Sequence, residues 1–244
     1  MPKCRLDQLL LDQGLCESRE KAQRLIRSGR VRVDEQLVDK PGRPVPPDSV
    51  VRVIEPECFV SRGGQKLEAA LERFPIEVQG RTALDVGAST GGFTDCLLQR
   101  GAKTVFAVDV GRGQLHWRLR NDPRVMVMER RNARFLEPAD LPETPGLAVI
   151  DVSFISLTRI LPAVREVVLH GADIVTLIKP QFEAGKEQVG KGGVVRDPEV
   201  HRWVVDGIRD FGTKKLDLVW RECFPSPLKG PAGNIEFLAW WNTP

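Results

Sequence analysis

Four ionisable side chains stand where the surrounding pattern is apolar or rich in glycine: Lys66, Asp151, Lys179 and Glu236. Lys66 follows a Gly-Gly pair near the start of a helical pattern. Asp151 closes an apolar run in VIDVSFISL, Lys179 closes another in IVTLIKPQF, and Glu236 opens the run in GNIEFLAWW. A charge at the end of a buried strand is costly unless it is paired or used, so each of the four is either half of a structural ion pair or part of a site. Asp151 and Lys179 ending two neighbouring strands of one sheet point to a site.

A second signal is the stretch LDVGASTGGFTD, Leu84 to Asp95. An apolar strand runs to Val86, the glycines Gly87, Gly91 and Gly92 follow, and a helix begins. Such a turn lets the backbone approach a small ligand. The order is GxxxGG, whereas a dinucleotide diphosphate calls for GxGxxG at a helix N-terminus. Asp85 precedes the loop, and Asp109 ends the next strand, where a carboxylate can accept both hydroxyls of a ribose. Asn132, beyond the third strand, reads either as a contact for the adenine end of a nucleoside or as a surface-turn asparagine.

These residues need a scaffold. Over the 244 residues, apolar side chains make up 41%, enough for a core. Strand patterns at Thr82–Val86, Thr104–Val110, Val125–Glu129, Ala148–Asp151, Asp173–Lys179, Leu216–Phe224 and Ile235–Trp241 alternate with helical ones at Gly92–Arg100, Leu157–Leu169 and Pro198–Phe211. Alternation predicts an α/β fold with a mostly parallel sheet covered on both faces. Between the last two strands lies only PSPLKGPAGN, which predicts an antiparallel pair. Ligands of such sheets sit beyond the carboxyl ends of the strands.

The first fifty-odd residues read differently. Leu6, Leu9 and Leu10 share one helical face that stops at Gly14. Ser18 then caps a second helix with Ala22, Leu25 and Ile26 inward, and short β runs follow from Val31 to Ile54. Arg19, Lys21, Arg24, Arg27, Arg30 and Arg32 crowd one stretch opposed only by Glu20, a cluster that can neutralise phosphates or simply be solvated. The net charge of +3 is too small to decide between them. Domain boundaries are expected at 1–55 and 61–244, with 56–60 as a linker.

Several classes are disfavoured. No apolar run approaches the length of a bilayer span, and the N-terminus lacks a signal-peptide core, so a cytoplasmic protein is expected. The five cysteines are scattered without metal spacing, so no metal is expected. Oligomeric state leaves no mark.

The N-terminal pattern RLDQLL…SREKAQRLIRSGRVRVD…VDKPGRPV resembles the S-four-type RNA-binding domain, with Asp34-Glu35 standing where that family often has Asn-Gly. The glycine loop resembles motif I of class I methyltransferases. Across essentially the whole chain, SRGGQKL, DVGASTGGFTD, DVSFISL, KPQFEAGKEQVGKGGVVRD and SPLKGPAGNIEF resemble the TlyA family, also called hemolysin A, whose catalytic domain is of the FtsJ-like 2′-O-methyltransferase type.

That resemblance implies a Rossmann-like seven-stranded domain behind a small α+β RNA-binding domain. It implies S-adenosyl-L-methionine as cofactor, held by Asp85, Gly87, Ala88, Ser89, Gly91, Gly92, Phe93, Asp109, Val110, Asn132 and Asp151. The partner is then ribosomal RNA or a ribosomal subunit, met by Arg5, Arg19, Lys21, Arg24, Arg27, Arg30, Arg62, Lys186 and Lys191. The product is cytidine methylated on its ribose 2′-hydroxyl, with the large subunit favoured because the chain stops soon after its last strand. Lys66, Asp151, Lys179 and Glu236 match the family's tetrad. Lys179 is expected to act as base, with Lys66 lowering its pKa or steadying the alkoxide, in roles open to exchange, and with the acids orienting both. Glu183 to Asp197, rich in glycine with Lys186, Lys191 and Arg196, reads either as a mobile lid over the RNA ribose or as an ordinary surface loop. Competing readings are an RNA-binding assembly factor with a dead methyltransferase fold, a cytolysin, and an NAD-linked dehydrogenase.

Overall fold

A computed structural model describes residues 3–54 and 58–244. The chain divides into two compact units, Met1–Glu57 and Cys58–Pro244. Glu55, the end of the first expected domain, and Pro56 and Glu57, the start of the expected linker, lie outside the described residues. Cys58 to Val60 packs onto the second unit instead of linking: Phe59 is buried, and the Val60 amide donates to Asp95 Oδ2 at 2.8 Å.

In the first unit, β1 (Cys4–Arg5) leads into α1 (Leu6–Asp12) and α2 (Arg19–Arg27). Ser18 caps α2 by accepting from the Lys21 amide at 3.2 Å. A three-stranded sheet of β2 (Val31–Val33), β3 (Gln36–Leu37) and β5 (Val51–Val53) follows, and β1 pairs with β4 (Pro44–Val45). Leu6, Leu10, Ala22, Ile26 and Val31 form its core. The β2–β3 turn needs φ > 0 at both central residues. Asp34 (φ 48°) and Glu35 (φ 66°) adopt it without the usual glycine. The departure from Asn-Gly therefore leaves the hairpin intact.

Asp7 organises the basic face. Its carboxylate is fully buried and accepts from Arg5 Nε (3.0 Å), Arg19 Nε (3.1 Å) and Gln23 Nε2 (2.9 Å). The Arg5 guanidinium above all, helped by Gln23 and Arg19, holds the carboxyl well below its ordinary range against the opposing effect of burial. Because the folded-state pKa is depressed, this stabilisation is present above the unfolded value, about 3.9, and is lost as pH falls through the folded one. Asp7→Ala is expected to cost the unit about 1–3 kcal/mol at neutral pH. Thermal unfolding of both proteins checks this, and the gap between wild type and Asp7→Asn should narrow only below about pH 4.

In the second unit, α3 (Gly63–Arg73) precedes a seven-stranded sheet in the order β11-β12-β10-β9-β6-β7-β8. The strands are β6 (Thr82–Val86), β7 (Thr104–Asp109), β8 (Val125–Glu129), β9 (Leu147–Ile150), β10 (Asp173–Ile178), β11 (Val219–Pro225) and β12 (Phe237–Asn242). The five from β6 to β10 are mutually parallel, whereas β12 runs antiparallel to both β10 and β11. Helices α4 (Gly92–Gln99), α5 (Trp117–Arg120), α6 (Leu161–Val167), α7 (Pro180–Glu183) and α8 (Pro198–Leu216) complete it. Two apolar layers, one around Leu67, Leu97 and Val105 and one around Leu84, Phe106 and Leu161, cover the sheet. Leu216, expected to start a strand, is the last residue of α8. Asp217 ends that helix at φ 55°. No helix among the described residues is long and apolar enough to cross a membrane.

Candidate active site

From β6 the chain moves outward to β7 and β8, then returns to β9 on the other side of β6, so a crevice opens beyond the carboxyl ends of β6, β7 and β9. There lies a cavity of about 460 Å³. Of the residues predicted to hold a cofactor, Gly87, Ser89, Asp109, Val110, Asn132 and Asp151 line it. Gly87 (φ 86°) lies against the turn after β9. A Cβ there would fall 2.5 Å from the Asp151 carbonyl oxygen. The Asp109 carboxylate accepts from the Ser89 amide at 2.8 Å and from Gly111 at 2.6 Å, tying the glycine loop to the loop after β7.

Asp85, Ala88, Gly91, Gly92 and Phe93 are buried behind the loop and do not line the cavity. Asp85 differs most from expectation: it has no exposed surface and accepts from Thr94 Oγ1 at 2.6 Å. Burial, with a smaller contribution from the Asp151 carboxylate, pushes its carboxyl up to about 7. It supports the loop from beneath. Gly92 serves close packing, since a Cβ there would meet Ser61 Oγ at 2.4 Å and the Gly64 amide nitrogen at 2.7 Å, blocking the start of α3.

The four ionisable residues form two pairs. Lys179 Nζ lies 2.5 Å from Asp151 Oδ1 and donates to Ser153 Oγ at 3.0 Å. Lys66 Nζ donates to Glu236 Oε2 at 2.5 Å, and Glu236 is only 1% exposed. Asp151 and Lys179 directly follow the adjacent parallel strands β9 and β10. Glu236 precedes β12, but β12 is reversed and pairs Phe237 with Ile178, so Glu236 reaches the same sheet edge. Among the described residues no group of His, Cys, Asp and Glu is gathered as a metal ion would need.

Three neighbours were not among the expected site residues. Phe154, inside an apolar run, is 90% exposed at φ 63°, with its ring 4.9 Å from that of Phe182 at the cavity rim. Gln114 lines the cavity from an irregular loop. Gln181 donates to Glu236 Oε1 at 3.1 Å. A local signal exists for Gln181 alone, as the residue two beyond Lys179.

The basic residues expected to meet RNA are dispersed. Arg5 and Arg19 converge on Asp7, Lys21 pairs with Glu17 at 3.0 Å, and Arg30 Nε donates to the Ile54 carbonyl at 2.9 Å. Arg24 and Arg27 are exposed on α2, Arg62 is exposed just before α3, and Lys186 and Lys191 are exposed between α7 and α8. The segment read as a lid or a surface loop is anchored at its far end. Val195 is buried, its amide donates to Asn234 Oδ1 at 2.9 Å, and its carbonyl lies 3.0 Å from His201 Nε2. Lys186 to Gly193 is exposed apart from the partly buried Val189.

Comparison with known proteins shows which families the chain matches. Residues 59–243 match the FtsJ-like methyltransferase family and residues 4–51 the S4 domain. The chain is 47% identical to the Mycobacterium tuberculosis 16S/23S rRNA (cytidine-2′-O)-methyltransferase TlyA, over 99% of this chain and 90% of that one. It is 35% identical to the Campylobacter jejuni 23S rRNA (cytidine-2′-O)-methyltransferase TlyA, over 76% of this chain and 71% of that one. A solved Streptococcus thermophilus structure described as a hemolysin is 45% identical with a TM-score of 0.76, covering 100% of this chain and 89% of that one.

Proposed function

From the premise that the chain belongs to the FtsJ-like methyltransferase family, in its TlyA branch, we propose that it methylates the ribose 2′-hydroxyl of a cytidine in ribosomal RNA with S-adenosyl-L-methionine as donor. The observation that carries this reading is the pairing of Lys179 with Asp151, which lines the cavity, with the pair of Lys66 and Glu236 at the same end of the sheet.

The cavity fits such a cofactor and not a dinucleotide. The amides of Gly87 and Ala88 donate to the Val108 carbonyl, that of Ser89 to Asp109, and that of Gly91 to the Ala88 carbonyl. Amides so engaged are not free to cradle a diphosphate. Asp109 keeps lone pairs for ribose hydroxyls. Val110, Ala133 and Ile155 offer apolar walls to a purine, and Asn132 stands at the same end. The Asp151 carboxylate suits a cation. When bound, the cofactor supplies an electrophilic methyl group on a sulfonium.

The residues of the chain do the rest. A ribose hydroxyl is a poor nucleophile and must lose its proton as the new O–C bond forms. Lys179, in its neutral form, accepts that proton. Ser153 and Asp151 fix its amine, while Lys66, held by Glu236, faces the growing charge on the ribose oxygen. The exposed Phe154 ring gives the target base a face on which to stack. The Arg5–Asp7–Arg19 cluster gives the S4 domain two oriented guanidiniums for phosphate oxygens. A soluble cytoplasmic setting follows from a ribosomal substrate.

Both TlyA relatives carry 23S rRNA in their names and one carries 16S as well, which favours the large subunit. Incubation of unmodified 30S and 50S subunits with tritiated S-adenosyl-L-methionine is expected to label 50S RNA, with the label mapping to a cytidine ribose. Label on 30S alone overturns the subunit assignment. Label on neither, with the cofactor still bound in a thermal-shift assay, overturns the catalytic reading and favours an assembly factor.

A further inference from the structure

The two pairs of the tetrad are not independent, because one uncharged side chain reaches from the segment of one pair into the other. Gln181 lies in α7, which begins directly after Lys179, and its amide nitrogen donates to Glu236 Oε1 at 3.1 Å. The other oxygen of Glu236 receives Lys66 at 2.5 Å. Gly230 packs against the same Oε1, where a Cβ would come within 2.6 Å. Backbone therefore walls that side of the carboxylate, and Gln181 is the side chain that fixes it.

The orientation of the amide is forced. An ionised carboxylate only accepts, so the NH₂ of Gln181 must face Glu236 and its carbonyl must point away. That carbonyl oxygen, Oε1, is buried and has no hydrogen-bond partner among the described residues. An unpaired buried acceptor offsets much of what the other hydrogen bond contributes, so the residue is a poor stabiliser of the fold. Broken local rules of this kind concentrate at functional sites.

Resting on the methyl-transfer reading above, we infer that Gln181 is a positioning residue: it clamps Glu236, thereby aims Lys66, and couples that pair to the segment bearing Lys179. Gln181 is not among the residues that line the cavity. Gln181→Ala should therefore lower kcat by about 10–100-fold, the scale of a misplaced catalytic group, with KM for cofactor and RNA nearly unchanged.

A charge test separates positioning from packing. Gln181→Glu keeps the shape. Protonated, its carboxylic acid donates to Glu236 as the amide does; ionised, it repels Glu236. Its kcat relative to wild type should fall steadily as pH rises, whereas a side chain that only fills space gives parallel pH profiles. In a Glu236→Gln background the further loss from Gln181→Ala should shrink, because both act through one contact. Wild-type kcat in Gln181→Ala, or parallel profiles for Gln181→Glu, overturns the inference.

A readout without RNA keeps this distinct from the functional reading. Competitive acylation of lysines, followed by mass spectrometry of the full-length protein, should show Lys66 labelled several-fold faster in Gln181→Ala than in wild type, with surface Lys214 unchanged. Unaltered Lys66 labelling sinks the positioning role even if the protein methylates no RNA. Faster labelling in a protein inactive on ribosomal subunits sinks the functional reading alone.

Discussion

Replacing Lys179 by arginine is expected to lower methyl transfer by about 10²–10⁴-fold, the range of a lost general base, while leaving cofactor affinity and thermal stability near wild type. Arginine keeps a cation beside Asp151, so the carboxylate keeps its partner, but a guanidinium stays protonated and cannot accept the ribose proton. Lys179→Met removes base and cation together. Asp151 Oδ1 is buried and lies 2.5 Å from the amine, so this variant should also lose stability. Single-turnover transfer from tritiated cofactor, with calorimetry of cofactor binding, separates the two. If Lys179→Arg stays active while Lys66→Arg does not, the base is Lys66 and the two lysines exchange roles.

What could be read from the sequence follows from where the signals are local. Strand ends at Val86 and Glu129 fall where expected, because an apolar run bounded by glycine or charge is visible in a short window. Asp151 and Lys179 were legible as a pair because both directly follow strands that lie side by side. Glu236 stands out locally as a charge opening an apolar run, but its grouping with the other three rests on the family resemblance, since its approach to the site depends on β12 running backwards into register with β10. Asp85 is placed otherwise than its position before a glycine loop suggests: a carboxylate there looks like a ligand contact, but this one has no exposed surface and bonds Thr94 on α4. Side-chain direction at the end of a buried strand is set by pleat and register, not by composition. Phe154 was hidden for the opposite reason. An apolar residue in an apolar run reads as core, and only the left-handed backbone at φ 63° turns its ring outward.

The position with most control over the site carries no functional group. Gly87→Ala is expected to abolish methyl transfer and cofactor binding together. Alanine at φ 86° costs about 1–2 kcal/mol for its backbone conformation alone. Its Cβ would also stand 2.5 Å from the carbonyl oxygen of Asp151, and relieving such an overlap in a packed region costs about 1–3 kcal/mol more. The neighbours have little room to yield. The Gly87 and Ala88 amides are bound to Val108, the Asp151 amide is bound to Val86, and all three strands involved are buried. The displacement therefore falls on Asp151, which lines the cavity and holds Lys179. Gly80→Ala is the control, for it imposes a similar φ of 72° with nothing within 4 Å of the new carbon. Calorimetric cofactor binding and thermal unfolding should show Gly80→Ala modestly destabilised and Gly87→Ala more so, with binding lost only in Gly87→Ala. If Gly87→Ala binds the cofactor as wild type does, the loop does not set the cofactor site, and the close approach to Asp151 serves only the fold.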